Sequence, residues 1–115
     1  MIVGNVENLV AKDIISDEVK DANIRVLVGP ENGWNDYVMR VLEVKVGGYT
    51  PKHSHPWPHI NYIIAGEGSL MIDGKENPVK AGSYAYVPQD HIHQFRNVGK
   101  ETFKFICIVP KEGHK

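Results

Sequence analysis

Turn-forming residues recur along this chain at short intervals, and that spacing limits its fold more than any other feature. Eleven glycines and seven prolines fall among 115 residues. Between them lie short runs rich in Val, Ile, Tyr and Phe, the pattern of strands closed by tight turns. The runs are NIRVLVG (23–29), YVMRVLEVKV (37–46, closed by Gly47-Gly48), INYIIA (60–65), SLMID (69–73), KENPV (75–79), SYAYVP (83–88), HQFRN (93–97) and TFKFICIV (102–109). Asp73-Gly74, between SLMID and KENPV, is the strongest hairpin signal in the chain. No window sustains a 3.6-residue apolar period, and only DEVKDA (17–22) reads as a single helical turn. Many short strands at such spacing form an antiparallel sandwich or barrel.

A chain of this length has room for one hydrophobic core. The barrel is expected over residues 23–115, with residues 1–22 as an N-terminal arm whose Ile2, Val3 and Val6 can add a strand to a sheet, its own or a neighbour's. The formal net charge is −1, and Lys and Arg nowhere cluster, so neither nucleic acid nor a membrane surface is an expected partner. The single cysteine, Cys107, excludes an intrachain disulfide and fits a reducing compartment. MIVGNVENLVAKD lacks a cationic stretch followed by a long apolar run, so no secretory signal is expected there and the cytoplasm is the expected location.

Residues 53–62, HSHPWPHINY, carry the chemistry. His53, His55, Trp57 and His59 share parity, so in extended chain their side chains face one way. Pro56 and Pro58 lack backbone donors, which suits an edge or bulged segment. Three neutral imidazoles on one face match a site for a first-row transition metal, although a histidine-rich stretch is also an ordinary polar turn. GSYAYVPQDHIHQFRN (82–97) weighs against the ordinary turn. It reads as a strand, a proline-centred turn and HIH opening another strand; if the chain folds back here, His93 can close the site from a partner strand.

These segments together resemble the cupin family. Its first motif, G-x5-H-x-H-x3,4-E-x6-G, is met by Gly47, His53, His55, His59 and Gly66; its second, G-x5-P-x-G-x2-H-x3-N, by Gly82, Pro88, Asp90, His93 and Asn97. The resemblance spans residues 47–97 and implies an all-β cupin double-stranded β-helix, the jelly-roll barrel. Two positions depart from the pattern. His59 stands where the family has glutamate, and Asp90 replaces a turn glycine, a position Asp tolerates. The chain is thus similar to small single-domain cupins with a four-histidine, manganese-type site. By that resemblance His53, His55, His59 and His93 hold one divalent ion per chain, manganese first, then Fe, Ni, Zn or Cu. Without the carboxylate, four neutral imidazoles leave a formal 2+ centre that favours an anionic ligand. The resemblance implies a small polar or anionic substrate and favours oxidative, dioxygenase-type chemistry. The alternatives are a non-catalytic binder of a sugar or other small molecule and, behind it, an isomerase or epimerase. Hydrophobic terminal strands and an exposed sheet point to a homodimer.

Five further residues are candidates for the pocket wall. Trp57 lies between ligands, and Tyr62 is a candidate donor. Phe105 and Cys107 alternate on one face of the last strand. Arg40 stands on an apolar strand, where an unpaired buried charge is costly; it points either out to solvent, the favoured direction, or in toward a carboxylate. His91 shares parity with His93 but is not a ligand position of the family. Asn61 is placed to hydrogen-bond a ligand histidine.

Overall fold

One strand organises the molecule. In the computed structural model, which describes residues 1–114, β3 (Tyr37–Tyr49) runs for 13 residues, about 43 Å of extended chain. It is long enough to serve both walls of a barrel. Residues 37–44 pair with β9 (Phe103–Pro110), while Tyr49 meets Arg96 of β8 (His93–Asn97). The strand runs on through Gly47-Gly48, where the sequence reading ends it. Gly48 permits this: a Cβ there would lie 2.6 Å from the Lys20 carbonyl oxygen and 2.9 Å from that of Lys45.

The other strands are β1 (Lys12–Asp13), β2 (Lys20–Val28), β4 (His59–Ala65), β5 (Glu67–Ile72), β6 (Lys75–Lys80) and β7 (Tyr84–Val87). Every pairing is antiparallel, in the order β6-β5-β8-β3-β9-β4-β7, with β2 added to β3 and β1 to β2. The result is a nearly closed, all-β jelly-roll barrel. Residues 73 and 74 make the expected hairpin, with φ of 50° and 83°, the left-handed pair of a type I′ turn. Pro78 lies in β6 at the free end of this order, where its missing donor costs nothing.

Residues 17–22 form no helical turn. β2 begins at Lys20, three residues before the expected strand, and Asp21 sits at φ 48° where the β2–β3 register shifts. A left-handed residue at a bulge is incompatible with helix. The segment before residue 23 contributes β1 and the first three residues of β2, whereas Ile2, Val3 and Val6 lie outside the strands of this chain. They run along the outer surface, where Arg25 Nε donates to the Leu9 carbonyl at 3.1 Å.

The core follows from alternation. Along β9, Phe103, Phe105, Cys107 and Val109 are buried inward, and Ile106 and Ile108 face the other way. Phe95 of β8 stacks on Phe105 with centroids 4.1 Å apart, and Phe103 completes the cluster at 5.3 Å from Phe105. Gly68 of β5 lies against Phe103, so close that a Cβ would be 2.5 Å from its ring. These aromatics fill one end of the barrel and leave the other end open.

Candidate metal centre

The open end is where the histidines meet. His53 lies in the loop between β3 and β4 and forms an isolated bridge with His93, the first residue of β8. The His53 N–H donates to the His93 carbonyl at 3.1 Å, and the His93 N–H returns the bond at 2.9 Å. This pair pins the two motif segments together. His59 opens β4, and the Asp90 N–H donates to the His55 carbonyl at 2.8 Å. Asp90 itself adopts φ 66°, the conformation for which the family pattern carries glycine.

Nitrogens of His53, His55 and His93 all lie within 4.8 Å of one another. His59 adjoins this triad: its Nε2 is 3.1 Å from His93 Nε2, and its ring centroid is 5.4 Å from that of His55. Two nitrogens on one ion, with bonds of about 2.1 Å meeting near a right angle, stand about 3 Å apart. The His59–His93 separation therefore suits a shared ion.

The far side of each ring tests the fit. His55 Nδ1 is 2.8 Å from the Trp57 carbonyl and His93 Nδ1 is 2.9 Å from the His91 carbonyl. A carbonyl only accepts, so both Nδ1 atoms carry the proton and both Nε2 atoms keep a lone pair. His59 Nδ1 lies 2.6 Å from the Asn61 amide. With Asn61 Oδ1 turned toward it, His59 adopts the same tautomer. With Nδ2 turned toward it, His59 Nε2 bears a proton and donates to His93 instead, leaving the buried Oδ1 without a partner. The residues present fit a metal ion.

The rings are also held neutral. Burial, followed by repulsion from His93 and His55, lowers the pKa of His59 to about 3. Burial, with further lowering from His53 and His55, takes His93 to about 4, despite the opposing bond to His91. Burial and His55 lower His53 as well. At neutral pH these lone pairs do not compete with protons.

Behind the rings lies a cavity of about 970 Å³. Trp57 lines it, stacked on His55 at 4.6 Å and 12°. Phe105 and Cys107 line it too, and burial pushes the Cys107 thiol up, so it stays protonated. Arg40 also faces the cavity, contrary to the favoured outward direction. It shares parity with Val38, Leu42 and Val44, the core face of β3, and its Nη2 donates to Cys107 Sγ at 3.1 Å. Tyr62 does not line the cavity: the alternation that buries His59, Asn61 and Ile63 puts Tyr62 on the outer face, 48% exposed. His91 lies outside as well, paired with Asp73. Lys12 and His114, from opposite ends of the chain, line the cavity unforeseen. No local pattern marks them, because only closure of the fold brings them there.

Fold and site define a class, and the comparisons agree with it. Residues 40–109 match the family model described as Cupin domain, and the chain belongs to the cupin family. It is 27% identical over 97 residues to the polyketide synthase CurC of Streptomyces cyaneus, covering 83% of this chain and 63% of that protein. It is 28% identical over 69 residues to the oxalate-binding protein of Thermotoga maritima, covering 59% and 57%. The chain thus spans about three-fifths of the length of these relatives. The solved structure of the polyketide cyclase RemF from Streptomyces resistomycificus superposes with a TM-score of 0.89 at 25% identity, covering 96% of this chain and 79% of that one. Among the described residues, no helix is long and apolar enough to cross a membrane.

Proposed function

We propose that this cupin holds one divalent transition ion on His53, His55, His59 and His93 and takes a small organic molecule in the adjoining cavity. The observation that carries the reading is the convergence of these imidazoles, with the Nδ1 atoms of His55 and His93 on carbonyl acceptors of the chain itself so that their Nε2 lone pairs are free. Manganese is the first choice of ion, followed by Fe, Ni, Zn or Cu, because imidazole suits several of them and availability selects. Such an ion supplies Lewis-acid polarisation of a ligand oxygen and, when redox-active, access to dioxygen chemistry. The chain's own residues do the rest. The backbone and Asn61 orient the rings, Trp57 shields His55, and Phe105 and its apolar neighbours keep water from the bound molecule.

Oxidative, dioxygenase-type turnover is the first reading of the reaction, supported by a ligand set of neutral imidazoles with no carboxylate. A non-oxidative ring closure or isomerisation is the second. It is favoured by the size of the cavity, which lies at the upper end of the range for drug-sized ligands, and by the likeness to a polyketide cyclase. A binding role without turnover is the third, supported by the likeness to an oxalate-binding protein. Homodimerisation is supported by the outer face of β4 and β7, where Ile60, Tyr62, Tyr84 and Tyr86 are exposed. A cytoplasmic location is supported by the unpaired Cys107.

Elemental analysis of the purified protein tests the centre. One ion per chain is expected, and His59→Ala should lower occupancy about tenfold or more at limiting metal; unchanged occupancy removes His59 from the ligand set. Oxygen consumption by the loaded protein against a metabolite pool separates the oxidative reading from the other two.

A further inference from the structure

The inner wall of the barrel carries a polar row that crosses three strands. Arg40 of β3 is the register partner of Cys107 in β9, and Cys107 is the partner of Asn61 in β4. Asn61 reaches His59, so the row ends at the metal centre. Arg40 Nη2 donates to the neutral thiol of Cys107, while its buried Nε–H has no hydrogen-bond partner in the protein. Among the described residues the ion pairs are Arg25–Glu43, His91–Asp73 and Arg96–Glu76, so no carboxylate answers Arg40. Asp13 and Glu31 line the same cavity, as do Lys12 and His114, but neither carboxylate forms an ion pair with Arg40.

A half-buried guanidinium without a counter-charge is costly, and an incoming anion removes that cost. We infer that Arg40 is the anion anchor of the cavity, through its guanidinium, whose buried Nε–H has no partner in the protein, and that the ligand is an apolar, ring-bearing molecule with an ionised carboxylate or enolate. The apolar body meets Val38, Leu42, Phe95, Phe105 and Val109, which line the space beside Arg40. A cavity of about 970 Å³ holds far more than a two-carbon acid. The inference deepens the reading of the metal centre by naming the substrate class. Its own evidence is Arg40, which is not a metal ligand.

The test uses the metal-loaded protein with 2-naphthoate and its neutral isostere 2-naphthamide, titrated by calorimetry. Charge-assisted bonds to a carboxylate predict that naphthoate binds about tenfold or more tightly than naphthamide. Arg40→Met should bring the two within about twofold, chiefly by weakening naphthoate, with metal content as in the wild type. A second readout needs no variant. The ¹⁵Nε–¹Hε resonance of Arg40 should shift on adding naphthoate and stay in place with naphthamide. Chelator-stripped protein separates this inference from the metal reading, because a preference read by Arg40 survives the loss of the ion. Equal binding of the two probes, a preference that disappears with the metal, or an Arg40 resonance that ignores naphthoate overturns the assignment.

Discussion

Buried neutral histidines make a sharp prediction for the metal-free protein: it loses stability on mild acidification. His59 titrates at about 3 and His93 at about 4 in the folded chain, whereas both titrate near the ordinary 6.5 once unfolded. Between those values the unfolded chain binds protons that the folded chain does not, so stability rises with pH across that window. It is fully present above pH 6.5 and is lost as pH falls. At pH 5 each residue contributes a loss of about 2 kcal/mol, the 1.5 units below 6.5 at 1.36 kcal/mol per unit. Partial access of solvent lowers the combined effect to about 3 kcal/mol. That is a large share of the 5–15 kcal/mol that holds a typical domain folded. Urea denaturation of chelator-treated protein at pH 7.5 and pH 5.0, followed by tryptophan fluorescence, reads it as a lower midpoint at unchanged slope. The double variant His59→Gln, His93→Gln should lose most of this dependence. A midpoint that is flat or rises toward pH 5 in the wild type refutes the argument that these rings are buried neutral.

Asn61→Leu removes the group facing His59 Nδ1 and should weaken metal affinity about 10–100-fold, measured by competition with a chromogenic chelator. Gly68→Ala places a methyl 2.5 Å from the Phe103 ring and should lower stability by about 1–3 kcal/mol, read as a fall in Tm. Light scattering should return about twice the 12.9 kDa chain mass, and Tyr62→Lys with Tyr86→Lys should return one chain mass by burdening the outer face of β4 and β7 with charge.

Local chemistry was legible in the sequence wherever it acts locally. Asp73-Gly74 turns because few other dipeptides accept two positive φ angles, and HQFRN forms β8 at its expected bounds. The two motif spacings also made the grouping of His53, His55 and His93 legible, the last of them joined to the others by its bridge to His53. What escaped depends on pairings made across the sheet. The direction of Arg40 follows from the register of β3 with β9, and its apolar neighbours on both parities hide which face is inner. Tyr62 is a different case: the parity of His59 already placed it outside. The run of β3 through Gly47-Gly48 escaped because glycine marks both a strand's end and a close approach. Lys12 and His114 lie 102 positions apart, and nothing near either one refers to the other.

The reciprocal hydrogen bonds between His53 and His93 are made entirely by main-chain atoms. Residues of many kinds at these two positions form the same bridge, so the rim of the barrel keeps its shape whatever side chains it carries. Shape and reactivity are therefore inherited separately in this molecule. Single substitutions at the rim would change which ligating groups are offered to an ion without redrawing the scaffold that presents them.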